Sequence, residues 1–296
     1  LHDMTCWLMP EMHTMANVLA TKAFAFRLKR RAAGVIAISE NARADAIRLL
    51  DFPPDKIDVI YPGISQTFFA AGEAESLRIR AKLKIEKPYL LFVGTVEPRK
   101  NIDLLLDAYL SLRPFLRGHV DLLLAGPQGW SSTRTVHRLG SGIRGVRYLG
   151  YVPEADLPGL TAGAVAFLYP SLYEGFGFPI VQAMAAGVPV ITSNVSALPE
   201  VAGEAALLVD PRSAGELAAA MERLLTSPSL ARTLTVRGRA RAARFTWEEC
   251  ARKSLAFFEK AAGVASAAPR RCDRVAAKGG SDHGLQDAEE GSEGCP

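Results

Sequence analysis

Pro170-Ser171-Leu172-Tyr173-Glu174-Gly175-Phe176-Gly177-Phe178-Pro179-Ile180-Val181-Gln182-Ala183-Met184-Ala185-Ala186-Gly187-Val188-Pro189 is the stretch whose reading decides the fold. An apolar run, Val165 to Tyr169, leads into it, and a second, Val188 to Ile191, leaves it. Both runs read as buried strands, and the apolar segment that stops at Gly187 reads as a helix. A strand, a turn carrying Gly175 and Gly177, and a helix start together make an anion site. The glycines let backbone approach a ligand, and the helix start offers free N–H groups and a positive dipole end. Glu174 stands at the mouth of that turn. A carboxylate beside an anion site calls for hydroxyls as well as phosphate, and a sugar attached to a phosphate carries both.

Outward from this stretch the alternation of strand and helix is regular. Strands are expected at Tyr89–Val93, Val120–Ala125, Val146–Leu149 and Ala206–Val209. Helices are expected between them, at Glu73–Lys84, Asn101–Leu112 and Glu154–Ala162, and after them at Ala214–Leu225, Ser229–Ala243 and Trp247–Ala262. Helices of this length between strands imply parallel βαβ units, with ligands beyond the carboxyl ends of the strands. Gly94, Gly126, Gly150 and Pro170 mark that rim. Upstream, residues 13 to 31 read as a helix, Val35–Ile38 and Ile57–Tyr61 as strands, and Asn41–Leu50 as a helix N-capped by Ser39. Residues 64 to 72 read as an interdomain linker. From residue 263 the composition turns to Ala, Gly, Ser and charge, which predicts a disordered tail over 263–296.

The chain has 296 residues, 49% of them apolar and 22% charged, which fits a globular protein of two domains or one large one. No apolar run reaches the length of a membrane span, and no secretory leader opens it. Cys6, Cys250, Cys272 and Cys295 have no metal or redox spacing and read as free thiols in a reducing compartment. Net charge is +4, and the basic cluster Arg27, Lys29, Arg30 and Arg31 reads as a solvated helix end. An acidic membrane surface is the sharper alternative for that cluster.

A second loop carries chemistry. Gly94-Thr95-Val96-Glu97-Pro98-Arg99-Lys100-Asn101 delivers two cations from a strand end to a helix start, where they can neutralise phosphate oxygens. It is no Walker-type loop, and no G-x-G-x-x-G follows a strand, so P-loop and nicotinamide chemistry lack their fingerprints. No D-x-D and no His/Asp/Glu cluster has metal spacing, and no Ser or Cys sits in a nucleophile elbow. Glu174 and Gln182 bracket an otherwise apolar segment. Glu174 alone could be an acid complementing the helix dipole, and Gln182 a plain helix former. His2 is a lone histidine at a possible strand end.

E-G-F-G-F-P-I-V-Q-A-M-A-A-G-V-P, preceded by P-S-L-Y, resembles the E-x7-E signature of retaining glycosyltransferases of family 4, which have the GT-B fold. G-T-V-E-P-R-K-N resembles the phosphate loop of mannosyltransferase-like members. G-Y-V-P-E-A-D-L and S-A-L-P-E-V-A-G-E-A-A-L-L-V-D-P follow in the family's order, and the likeness runs from about His2 to the helix at Trp247. It implies an α/β protein of two Rossmann-like domains with parallel sheets and a cleft between them. Residues 1–65 would be the end of an incomplete N-terminal acceptor domain, truncated before Leu1. Residues 66–245 would be the nucleotide-sugar domain, and 246–262 a helix returning toward the first.

The resemblance also implies roles. Glu174 would lie near the donor sugar, Gly175, Phe176, Gly177 and Phe178 would form the loop meeting sugar and phosphate, and Lys100 would bind the diphosphate with Arg99 beside it. Tyr151 and Val152 would contact the base, with Thr95 and Gly126 on the same rim, and His2 would sit near the reacting sugar. Gln182 stands where the family has a second acid for the ribose, and Thr95 where many relatives have arginine. The implied reaction moves a hexosyl group, mannosyl from GDP-mannose, without metal or other cofactor, onto a glycan or lipid-linked oligosaccharide in cell-surface polysaccharide synthesis. No nucleic acid is implied, and the expected location is cytoplasmic or peripheral at the inner membrane face. A UDP-hexose-using transferase of the same fold and a non-catalytic nucleotide-sugar-binding remnant are the alternatives.

Overall fold

Runs such as Tyr89-Leu90-Leu91-Phe92-Val93 and Ala166-Phe167-Leu168-Tyr169 have no polar face, so they are stable as strands only when covered on both sides. The computed structural model, which describes residues 1–130 and 132–263, buries them in this way. The strands are β1 (Val35–Ala37), β2 (Ile57–Val59), β3 (Tyr89–Val93), β4 (Asp121–Ala125), β5 (Val146–Gly150), β6 (Ala166–Tyr169), β7 (Val190–Ser193) and β8 (Ala206–Val209). The helices are α1 (Thr5–Leu8), α2 (Met15–Arg31), α3 (Glu40–Leu50), α4 (Gln66–Ala70), α5 (Glu73–Lys82), α6 (Ile102–Ser111) and α7 (Pro114–His119). They continue with α8 (Thr133–Gly140), α9 (Leu157–Ala162), α10 (Phe178–Ala185), α11 (Leu198–Ala202), α12 (Ala214–Thr226), α13 (Pro228–Ala242) and α14 (Trp247–Ala261).

The fold is α/β with parallel sheets, as the alternation implies. The larger sheet has the order β5-β4-β3-β6-β7-β8, all neighbours parallel. The chain leaves β3 toward β4 and β5 on one side, then crosses back to lay β6 on the other side of β3. The carboxyl ends of β3 and β6 therefore flank the point where strand order reverses, which is where open α/β sheets form a crevice. The smaller sheet pairs β1 and β2 in parallel, with Val35 opposite Ile57 and Ala37 opposite Val59. Leu1 lies beside β1: its nitrogen donates to Ile36 O at 2.6 Å and its carbonyl accepts from Ile38 N.

Residues 64 to 72 are not the linker expected. They hold α4, N-capped by Ser65, with Ile64 and Phe68 buried in the core of the larger sheet. Gly, Ser and Gln flanking two aromatics suggest a loop, but Phe68 has an apolar surface to cover and the helix delivers it. The helices α1, α7, α8 and α11 lie outside the sequence-based expectations; each is eight residues or fewer, too short a window for a firm period. The tail expected to be disordered lies outside the described residues from 264 on, as do Cys272 and Cys295. Cys6 and Cys250 are free thiols. Helix α14 lies against the smaller sheet, burying Phe257 beside Gly34 and pairing Lys260 with Asp58 at 3.3 Å. Among the described residues no helix is long and apolar enough to cross a membrane.

Candidate active site

The loop after β3 turns through a short 3-10 segment, Pro98–Lys100, and is tied down on every side. Val96 N donates to Pro127 O, and Arg99 O accepts from Leu172 N. Asn101, at φ 59°, donates its amide to Pro170 O and Pro211 O. These bonds hold Arg99 and Lys100 against the end of β6, beside the turn that carries Glu174.

There the charges meet. Glu174 Oε2 accepts from Arg99 Nη1 and Oε1 accepts from Lys100 Nζ, both at 2.7 Å. Arg99 also donates Nη1 to Tyr173 O and Nη2 to Glu97 Oε1, at 2.8 and 2.6 Å. Lys100 donates to the Tyr169 hydroxyl at 2.6 Å. Glu97, Lys100 and Glu174 are each less than a tenth exposed. Burial acts to raise the Glu174 pKa, but Lys100 and Arg99 outweigh it and hold the carboxyl below its ordinary value. Burial also lowers the Lys100 pKa, against the pull of Glu174. Burial and the neighbouring Glu174 carboxylate push the Tyr169 phenol well up. The cluster is an ionised, dry network, not the solvated helix-dipole acid that Glu174 could have been.

The turn between β6 and α10 needs both glycines. Gly177 has φ 100°, in the left-handed region, and caps α10 with no side chain on the first helical N–H groups. At Gly175 a Cβ would lie 1.7 Å from His2 O, so the first residues of the chain pass directly over the turn. His2 thus reaches the site by its backbone, while its side chain is exposed. Phe176 is buried and packs edge-on with Phe178 and Phe245. Gln182 is half-buried on α10. Thr95 and Gly126 lie on the same rim, with Gly126 N donating to Gly150 O at 2.7 Å. Beyond Gly150, Tyr151 is exposed and Val152 is buried, so only Tyr151 offers a face to solvent.

Several residues of the site gave no functional signal in sequence. Glu97 was simply an acid beside two cations, and Tyr169 a strand residue. Ser39 does more than cap α3: its hydroxyl accepts from Ala42 N and donates to Gly175 O at 2.6 Å. Tyr173 donates to Asp45 of α3 at 2.6 Å. Glu200 of α11 accepts from the backbone N–H groups of Glu40 and Asn41 and from the Tyr61 hydroxyl. The N-terminus of α3 is therefore capped by a carboxylate from the larger unit, the favourable sign for a helix dipole. Among the described residues no group of three or more His, Cys, Asp or Glu side chains is placed to hold a metal.

Parallel sheets with a crevice at the strand-order reversal, where two cations meet a carboxylate on the turn into α10, place the chain in the GT-B fold class. Residues 75–241 match the family model described as glycosyl transferases group 1. The chain belongs to that family. It is 38% identical over 257 residues to the O-antigen chain mannosyltransferase B of Escherichia coli, covering 86% of this chain and 68% of that protein. To the serotype-specific mannosyltransferase WbdA of Escherichia coli it is 29% identical over 238 residues, 78% of this chain but 29% of WbdA. Anabaena Alr3699/HepE, solved in complex with UDP and glucose, superposes with a TM-score of 0.75 at 22% identity, over 87% of this chain and 70% of that one.

Proposed function

We propose that this glycosyltransferase moves a mannosyl group from GDP-mannose, with retention and without a metal, onto a glycan or lipid-linked acceptor in cell-surface polysaccharide synthesis. The observation that carries this reading is the convergence of Arg99, Lys100 and Glu174 at the crevice between β3 and β6. The buried Lys100, the half-buried Arg99 and the start of α10 meet the charge that develops on a departing diphosphate, a term usually dominant in such sites. Glu174 serves the hydroxyls of the transferred sugar. The backbone of Gly175 to Phe178 meets sugar and phosphate, and Gln182 the ribose. Tyr151 and Val152, with Thr95 and Gly126, border the nucleotide, and His2 lies over the reacting sugar. The names of the mannosyltransferase relatives support the choice of sugar.

In this reading residues 1–65 form the acceptor lobe and 66–245 the donor lobe, with 246–262 returning across the first. The protein works in the cytoplasm or at the inner membrane face. Calorimetry of the chain with GDP-mannose and UDP-glucose, followed by transfer to a lipid-linked glycan with NMR of the new anomeric centre, tests it. Preferential binding of GDP-mannose and a product of unchanged anomeric configuration are expected. Preference for UDP-glucose, or an inverted product, overturns the donor or the stereochemistry. Binding without any transfer favours a non-catalytic nucleotide-sugar-binding role.

A further inference from the structure

Two carboxylates hold Arg99, and they differ in kind. Glu97 belongs to the same loop, one residue from Pro98, and its backbone lies between the anchored Val96 and the 3-10 turn. Glu174 comes from the opposite wall, and its side chain is shared between Arg99 and Lys100. Its main chain is fixed by Ser196 Oγ and Ala197 N, so only the carboxylate arm, with its rotatable bonds, can swing. Two cations facing two carboxylates sum to no net charge. A diphosphate brought to a neutral cluster gains little, and beside an ionised Glu174 it meets a like charge. The same diphosphate with Glu174 swung away meets two cations against one carboxylate.

We propose that Glu174 is an internal stand-in for the donor's diphosphate, displaced from Arg99 and Lys100 when the donor binds, while Glu97 stays on Arg99 as a positioning residue. The exchange rests on the reading of Arg99 and Lys100 as diphosphate ligands. It joins two events: arrival of the diphosphate releases the carboxylate, and the released carboxylate is the group that turns to the sugar hydroxyls. A nucleotide without its sugar leaves Glu174 displaced with nothing to bind. Glu97 keeps the guanidinium aimed throughout, because its hydrogen bond runs to Nη2, on the side away from the Glu174 contact at Nη1.

The test is calorimetry with inorganic pyrophosphate and with GDP, alongside donor turnover and thermal melts that confirm each variant is folded. Glu174→Gln removes the internal competitor, so both probes should bind about tenfold tighter, 1.4 kcal/mol, while turnover falls. Glu97→Ala should leave GDP affinity within about threefold and lower kcat about tenfold, and Glu97→Gln should restore kcat because its carbonyl still accepts from Arg99. Binding to Glu174→Gln that is unchanged or weaker, with Lys100→Ala abolishing binding, overturns the exchange and leaves the diphosphate site standing. Binding that Lys100→Ala does not affect overturns the diphosphate site and the exchange with it. Failure of Glu97→Gln to restore kcat removes the positioning role of Glu97.

Discussion

The two sheets hold themselves together by different means. The six-stranded unit buries whole strands, Leu90, Leu91, Phe92, Leu122, Leu123 and Leu168 among them, and stands on its own apolar core. The two-stranded unit has a core of six buried residues, Val35, Ala37, Ala42, Ala46, Phe52 and Ile57. So small a core supplies little stability alone. Apolar packing of α14 and of Tyr61 helps to place it, and polar bonds join it to the large unit: Ser39 on Gly175, Tyr173 on Asp45, and Glu200 on the start of α3. Every one of these bonds lands on or beside the turn that carries Glu174, or on the helix that follows β7. The large unit builds the chemistry, and the small one is docked onto it through the same turn.

That contrast can be broken or sharpened by substitution. The largest effect belongs to the large unit. Lys100→Ala removes a buried cation and should lower turnover 10²–10³-fold, about 3–4 kcal/mol, in a steady-state donor assay. Near-normal turnover would show that Lys100 does not meet the departing group. Next comes the seam. Gly175→Ala drives a methyl group into His2 O, costing about 1–3 kcal/mol of stability by overpacking and lifting the first residues off the site. Misplacement of this order should cost about 10²-fold in turnover. Faster proteolysis near the amino end checks the cause, and unaltered cleavage would break the link between the turn and the small unit.

Smaller effects lie to either side of the seam. Ser39→Ala loses a helix cap and a cross-unit bond, so chemical denaturation should report a loss of about 1–2 kcal/mol. If docking is polar, the loss should appear as earlier unfolding of the small unit with the six-stranded unit unchanged. The smallest change is Gln182→Glu, which puts a pure acceptor where the proposed function places the ribose. Calorimetry with GDP should report binding a few-fold tighter, and weaker binding would remove Gln182 from the nucleotide.

The parallel strands were legible because their runs are apolar throughout, and a sequence without alternation, cut by Gly and Pro, leaves few other structures. The two chemistry-bearing loops were legible because glycines, a carboxylate and paired cations are unusual company at strand ends. Residues 64 to 72 misled because polar spacers outnumber Ile64 and Phe68, the two side chains that decide where the segment goes. Glu97 was passed over because an exposed acid next to Arg and Lys reads the same as a buried one. Ser39 was legible as a cap and illegible as a clamp, since its second partner is Gly175, far along the chain.

By itself the sequence determined the strands, the longer helices, the parallel sense of the sheet and the identity of the two loops, because these follow from local pattern and covalent order. Only the tertiary structure decided that β3 lies beside β6, and with it that Arg99 and Lys100 face Glu174 across 2.7 Å. Strand order is set by how helices cover the two sheet faces, a property of the whole core that no window of residues contains. The charge state of the site has the same origin. A carboxylate and two cations become an ionised, water-poor network only once packing has excluded solvent and left them one another.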